Sequence, residues 1–287
     1  MNEILDLYAI ERKTSNPRSH INWKPGQKEL IADLYINQGL GYKAIGKLFN
    51  TEFHYNTIKR IVESHGGSIR TVRESRQEPQ INSNIFKTID SEEKAYWLGF
   101  LEADGCVHKG YIKMSLQKRD YNHLIKFQKF LNTNNSVKII KYNNKEYCTI
   151  SVGNQNIYED LIRLGCVERK SLILKPCEEI PTQYIFDYIR GYWDGDGGIS
   201  YSKKNNRWQA YCTSTKEMLD FFVQQLDLKT KPFLEHRCKQ TYRIHFNGRI
   251  NVYNKMSLLY KDANIFLDRK YQLFSQLQDS MLQDKTR

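Results

Sequence analysis

No run of apolar residues in the sequence approaches the roughly 20 that a membrane-spanning helix requires, which excludes a helical membrane protein. The opening stretch, MNEILDLYAIERK, lacks the basic leader, apolar segment and cleavage site of an export signal. CxxC pairs are absent too. Cys106, Cys148, Cys166, Cys177, Cys212 and Cys238 are scattered, several of them in strand-like apolar runs where a reduced thiol behaves as a small hydrophobe. Neither a disulfide framework nor a zinc site follows. An intracellular protein is expected, whether in a cytoplasm, a nucleoid, an organelle or a phage-infected host.

What the chain has in excess is positive charge. Among 287 residues, 44 Lys and Arg outnumber 32 Asp and Glu, giving +12 and a pI near 9.3. Cations facing phosphates release condensed counterions, so this balance points to a polyanionic partner. The accompanying Tyr and Asn residues supply groups that contact phosphates and base edges. The length accommodates one large core or two to three modest ones.

Residues 1–20 have no periodicity and read as an arm. Between residues 26 and 65, three amphipathic stretches are marked by Leu30, Ile31, Leu34 and Tyr35; by Ala44, Ile45, Leu48 and Phe49; and by Ile58, Ile61 and Val62, with Asn56 as N-cap of the third. The segment IGKLFNTEFHYNTIKRIV resembles the helix-turn-helix of resolvase-like DNA-binding modules. That resemblance implies a small all-α domain over 21–66 whose third helix enters a major groove with Asn56, Thr57, Lys59 and Arg60. A trihelical packing domain is the alternative. The polar stretch 67–90, with Arg70, Arg73 and Arg76, reads as a linker.

Beyond the linker a short phrase occurs twice, WLGFLEADG at Trp97–Gly105 and IRGYWDGDG at Ile189–Gly197. Each copy precedes the same order of elements, which makes two similar halves, 91–180 and 181–287. Strands are predicted at 111–116, 137–141, 147–152, 208–213 and 241–246, with helices at 121–131, 157–164, 216–226, 251–260 and 267–282. Period-two alternation sets Tyr111, Lys113, Ser115 and Gln117 on one polar face, and Arg207, Gln209, Tyr211, Thr213, Thr241, Arg243 and His245 on another. Such cations, amides and hydroxyls read bases and hold phosphates.

The phrase itself is apolar nearly all round, and its small residues recur four apart, at Gly99 and Ala103 and at Gly191 and Gly195. That spacing lets two helix backbones approach closely, so the copies are expected to pack against each other in parallel. Asp104 and Asp196 would then arrive together at the helix ends, like charges at the negative ends of two dipoles. A divalent cation reverses both penalties. The two carboxylates with the helix-end carbonyls of Gly105 and Gly197 would be hard oxygen ligands suited to Mg²⁺, with Mn²⁺ able to substitute. The decoys fit worse. A calcium loop starting at Asp194 puts Ile199 where glycine is demanded and Asn205 where glutamate belongs, and Cys106 and His108 lack zinc partners.

With its two motif copies and a later basic pair in each half, Arg169-Lys170 and Arg269-Lys270, the chain resembles the LAGLIDADG homing endonucleases in their single-chain, two-motif form. The resemblance implies an α+β fold of two pseudo-symmetric αββαββα halves with saddle-shaped antiparallel sheets. It also implies a monomer acting as a pseudo-dimer that hydrolyses both strands of a long, nearly asymmetric DNA site. By the same resemblance, Asp104 and Asp196 bind the metals and Lys170 and Lys270 lie beside the scissile phosphates. Glu102 departs from the more usual aspartate at a position that is often structural. Met1 and the close at Lys285-Thr286-Arg287 favour an intron-encoded or free-standing element over an embedded intein. A non-cleaving nucleic-acid binder of the same fold, an intron maturase bound to group I intron RNA or a transcription regulator, is the alternative.

Overall fold

Two units divide the chain, Met1–Pro79 and Gln80–Arg287, in a computed structural model that describes residues 7–12, 20–70, 81–167, 172–235 and 240–283. The smaller unit opens with a short antiparallel pair, β1 (Glu11–Arg12) and β2 (Ile21–Asn22). Its three helices are α1 (Gln27–Ile36), α2 (Tyr42–Leu48) and α3 (Tyr55–Ser64), and they bury Ile31, Leu34, Ile45, Phe49, Phe53, Ile58 and Val62. Residues 7–9 of the arm are held by the first helix. Buried Gln27 donates to the carbonyls of Leu7 (3.1 Å) and Ala9 (2.9 Å) and accepts from the Lys24 N–H (2.9 Å), so one amide pins them.

Two expectations for this unit change. His54, rather than Asn56, caps α3: its Nδ1 accepts from the Asn56 N–H at 3.2 Å. The expected linker is also shorter at both ends. Arg70 donates to the carbonyls of Gly39 (2.5 Å) and Leu40 (2.6 Å) and stacks 4.2 Å over the Tyr35 ring, which ties it to its own unit. At the other end Ile81, Ile85, Phe86 and Ile89 are buried in the core of the larger unit. Arg73 and Arg76 lie outside the described residues.

The larger unit repeats one topology. Its first half runs α4 (Glu92–Asp104), β3 (Gly105–His108), β4 (Tyr111–Gln117), α5 (Tyr121–Leu131), β5 (Lys138–Tyr142), β6 (Lys145–Gly153) and α6 (Gln155–Arg163). The second runs α7 (Ile185–Asp196), β7 (Gly197–Ser202), β8 (Arg207–Ser214), α8 (Lys216–Gln225), β9 (Phe233–Leu234), β10 (Tyr242–Asn247) and α9 (Arg249–Tyr260), and α10 (Asp268–Gln283) follows. The four-stranded antiparallel sheets have matching orders, β3-β4-β6-β5 and β7-β8-β10-β9. These are the αββαββα halves expected from the sequence. Strands β3, β7 and β9 complete that topology and are additions to the five strands predicted from local pattern.

Local sequence explains the two motif helices. Ser91 caps α4 by accepting from the Lys94 N–H (3.3 Å), and Glu92 and Glu93 complement the dipole in its first turn. Ala95 to Glu102 are then buried without a break, because α4 is enclosed by its partner helix on one side and by sheet and helices on the others.

Candidate active site and nucleic-acid face

Small residues decide how α4 and α7 meet. A Cβ on Gly99 would lie 2.1 Å from the Tyr188 carbonyl oxygen, one on Gly191 would lie 1.9 Å from that of Tyr96, and one on Gly195 would lie 2.3 Å from the Ala103 Cβ. Only glycine permits the first two approaches. The order of these contacts makes the helices parallel, and the contacts are reciprocal: Gly99 meets Tyr188 as Gly191 meets Tyr96.

The hydrogen bonds repeat that exchange. The Tyr96 hydroxyl donates to Asp194 (2.8 Å), and the hydroxyl of its counterpart Tyr188 donates to Glu102, the counterpart of Asp194. Asp194 also accepts from the Tyr260 hydroxyl (2.6 Å) and the Leu267 N–H (2.7 Å). Burial raises the Asp194 pKa, while Lys270 and these donors oppose the rise. Glu102 and Asp194 are therefore interior groups that clamp the dyad.

Asp104 and Asp196 end their helices and are both exposed. A Cβ on Gly195, the neighbour of Asp196, would sit 3.6 Å from the Asp104 carboxyl carbon, so the two acidic ends lie at one place. Beside them is a cavity of about 200 Å³ whose lining includes Glu102, Ala103, Tyr192, Asp196, Thr213 and Thr241. The Asp196 charge also reaches inward. After burial it is the next largest cause raising the pKa values of Tyr192 and Cys212.

Lys170, with Arg169, lies outside the described residues. Lys270 does not stand open at the rim, as its expected role beside a phosphate suggested: it is only 3% exposed. Its ammonium donates to the carbonyls of Trp193 (2.7 Å), Asp194 (2.6 Å), Gly195 (3.2 Å) and Gly197 (2.6 Å), closing the open end of α7. Burial pushes its pKa down to about 8, Asp194 opposes that, and Arg269 adds to it. Asp104 is among the charges it feels. Arg269 pairs with both oxygens of Asp120, at 3.0 and 3.1 Å, joining α10 to the first half.

The alternation read from the sequence holds on both sheets. Tyr111, Lys113, Ser115 and Gln117 are exposed on β4, while Ile112, Met114 and Leu116 are buried. On the second sheet Arg207 is exposed and Gln209, Tyr211, Thr213, Thr241, Arg243 and His245 are partly exposed. The register adds residues that the sequence reading passed over: Ser151, Thr149 and Tyr147 lie opposite Lys113, Ser115 and Gln117, and Ser200 lies opposite Gln209. Several of these groups are already engaged with one another. Ser115 bonds Thr149 (2.8 Å), and Arg243 lies 4.2 Å over the Tyr211 ring and 3.3 Å from Glu235. In the smaller unit α3 exposes Tyr55, Asn56, Lys59 and Arg60, with Thr57 partly exposed.

No curated protein sequence matches the chain significantly. Among solved structures it is similar to the LAGLIDADG homing endonuclease I-GzeII in complex with its DNA target, at 12% identity over 67% of this chain and 91% of that one, TM-score 0.46. It is also similar to I-LtrWI bound to target DNA, at 11% identity over 69% and 92%, TM-score 0.47. A third is the meganuclease I-CpaMI bound to uncleaved DNA, at 12% identity over 67% and 92%, TM-score 0.47. The family model of the LAGLIDADG-like domain matches residues 183–256. From the second motif helix into α9, this chain thus carries a LAGLIDADG-like domain.

Proposed function

We propose that the chain is a site-specific double-strand DNA endonuclease that hydrolyses one phosphodiester per strand with divalent cations. The observation that carries this reading is the delivery of Asp104 and Asp196 to one place by two helices related by a pseudo-dyad, each half with its own polar sheet face. The donor set fits a hard cation such as Mg²⁺, with Mn²⁺ as a substitute: two carboxylates at helix C-termini, where a positive ion relieves both the mutual repulsion and the dipoles. Among the described residues no three His, Cys, Asp or Glu side chains converge, so carbonyls, water and the DNA phosphate would complete the shell. Of the two glycine carbonyls expected as ligands, that of Gly197 already accepts from Lys270 at 2.6 Å. A bound cation would supply a water of lowered pKa and stabilise the leaving oxygen.

The chain's own residues supply the rest. Lys270 fixes the backbone that carries Asp196, while Lys113, Arg207 and their neighbours hold the duplex by its phosphates and base edges. Exposed Asn56, Lys59 and Arg60 on α3, with Thr57, fit a second contact to the same DNA. Among the described residues no helix is long and apolar enough to cross a membrane. A single chain with two half-sites works as a monomer, in the compartment that holds its DNA.

The test uses a plasmid bearing the DNA that flanks the reading frame, rejoined without it. With Mg²⁺ the protein should linearise the plasmid, and chelation should stop it. An Asp104→Asn or Asp196→Asn protein that cuts as well as the parent would defeat the assignment. A parent that binds the DNA, or group I intron RNA, without any metal-dependent cut would establish the non-cleaving alternative.

A further inference from the structure

Three side chains on adjacent strands of the second sheet are joined in series. His245 Nε2 on β10 lies 3.1 Å from Gln209 Oε1 on β8, and Gln209 Nε2 donates to Ser200 Oγ on β7 at 3.0 Å. Ser200 stands directly opposite Gln209, whereas His245 pairs with Tyr211 and reaches Gln209 diagonally. Buried Ile199, Trp208, Ala210, Ile244 and Phe246 alternate with them, which puts all three on the polar face.

We infer that Ser200, Gln209 and His245 act as one unit that selects guanine at a single position of the DNA target. The inference rests on the DNA-binding reading above. An amide oxygen only accepts, so His245 must carry its proton on Nε2. Burial first, then the charges of Arg243 and Arg207, lowers its pKa and favours this neutral form. The chain of bonds therefore has one direction.

That direction changes what glutamine can read. An unengaged glutamine offers an acceptor and a donor to adenine N6 and N7. Here one of the two lone pairs of Gln209 Oε1 receives the His245 N–H, which weakens that oxygen as an acceptor for adenine N6, and one amide N–H is spent on Ser200. The second amide N–H and the Ser200 hydroxyl remain as donors, and the major-groove edge that accepts twice is guanine, through O6 and N7. Arg243, a commoner guanine reader, is held on the Tyr211 ring and by Glu235.

The experiment selects duplexes from a randomised library with the full chain, in chelator at fixed salt, and sequences those bound. The parent should enrich guanine at one position, on the order of 10-fold or more over adenine. His245→Ala frees Gln209 Oε1 and should move that position toward adenine. Ser200→Ala should weaken the guanine preference at the same position, while Lys113→Ala, on the other sheet, should leave the preference at that position unchanged. Thermal melts check folding, and should His245→Ala melt early, Gln209→Glu replaces it, with guanine expected to give way to cytosine. Unchanged base frequencies in the second-sheet variants, or effects at different positions, would overturn the inference. A parent that enriches no sequence at all would instead sink the DNA-binding reading beneath it.

Discussion

Replacing Gly191 with alanine sets a methyl carbon 1.9 Å from the Tyr96 carbonyl oxygen and 3.0 Å from the Phe100 nitrogen, where ordinary contact begins at 3.4 Å. The difference, 3.4 minus 1.9, is about 1.5 Å, and both neighbours are backbone, so the helices themselves must part. A gap of even 0.5–1 Å forfeits roughly a quarter to a half of each dispersion contact. The seam holds Tyr96, Phe100, Tyr188 and Tyr192, all buried, and it lies between the two halves of the core. Overpacking costs about 1–3 kcal/mol, with this case at the upper end, and alanine returns roughly 1 kcal/mol of helix propensity. A net loss of about 2 kcal/mol follows, or about 4–8 °C in the melting temperature for a unit of this size. Cutting should fall by more than stability, because Asp104 and Asp196 ride on the displaced helices. Urea denaturation and plasmid cleavage measure the two effects. A Gly191→Ala protein with the parent's melting point and cutting rate would refute the reasoning.

Lys270→Met removes the ammonium from four carbonyls at the end of α7, and leaving those acceptors unmet costs about 1–3 kcal/mol. Cleavage assays should show a larger loss, and undiminished cutting would contradict the role given to this lysine. His123 is held down to about 3, first by burial and then by Lys126, Lys270 and Arg269. Its folded pKa lies below the unfolded 6.5, so the unfolded chain takes up the proton first and stability is lost as pH falls from about 6.5 toward 3. Urea midpoints at pH 7, 5 and 4 should therefore decline more steeply for the parent than for His123→Gln, and equal declines would count against the assignment.

The doubled motif was legible because its information is local: nine consecutive residues, twice, with small residues four apart. The polar faces of β4, β8 and β10 were legible for the same reason, since alternation needs only one strand. Strand β3 was not, being four residues long and beginning at the motif glycine. The better signal was the turn after it, Lys109-Gly110, where both residues take positive φ, as a tight hairpin demands. Asn143-Asn144 marks the β5–β6 hairpin in the same way. Ile81, Ile85, Phe86 and Ile89 carried no period because they are buried from turns rather than from a regular element. The fate of Lys270 depends on carbonyls more than seventy residues away, which no local pattern encodes. The Ser200–Gln209–His245 series likewise needs the register of three strands.

The spacing of acids within the motif explains how one helix end serves both packing and chemistry. Glu102 and Asp104 are two residues apart, as are Asp194 and Asp196, and two residues turn a helix by about 200°. The earlier acid of each pair must then point inward if the later one points out. That is the arrangement found: Glu102 and Asp194 are 1% and 0% exposed, while Asp104 and Asp196 are exposed. Each inner acid receives a tyrosine hydroxyl from the opposite helix, so the bond that holds the halves together also sets the rotation of the helix carrying the outer carboxylate. Glutamate in place of aspartate at residue 102 fits this division of labour, because the inner position requires an acceptor for Tyr188, and a side chain one methylene longer still supplies it. Shortening the spacing by one residue would turn the outer acid by about 100° and take it away from its partner across the dyad, whatever the stability of the helix pair.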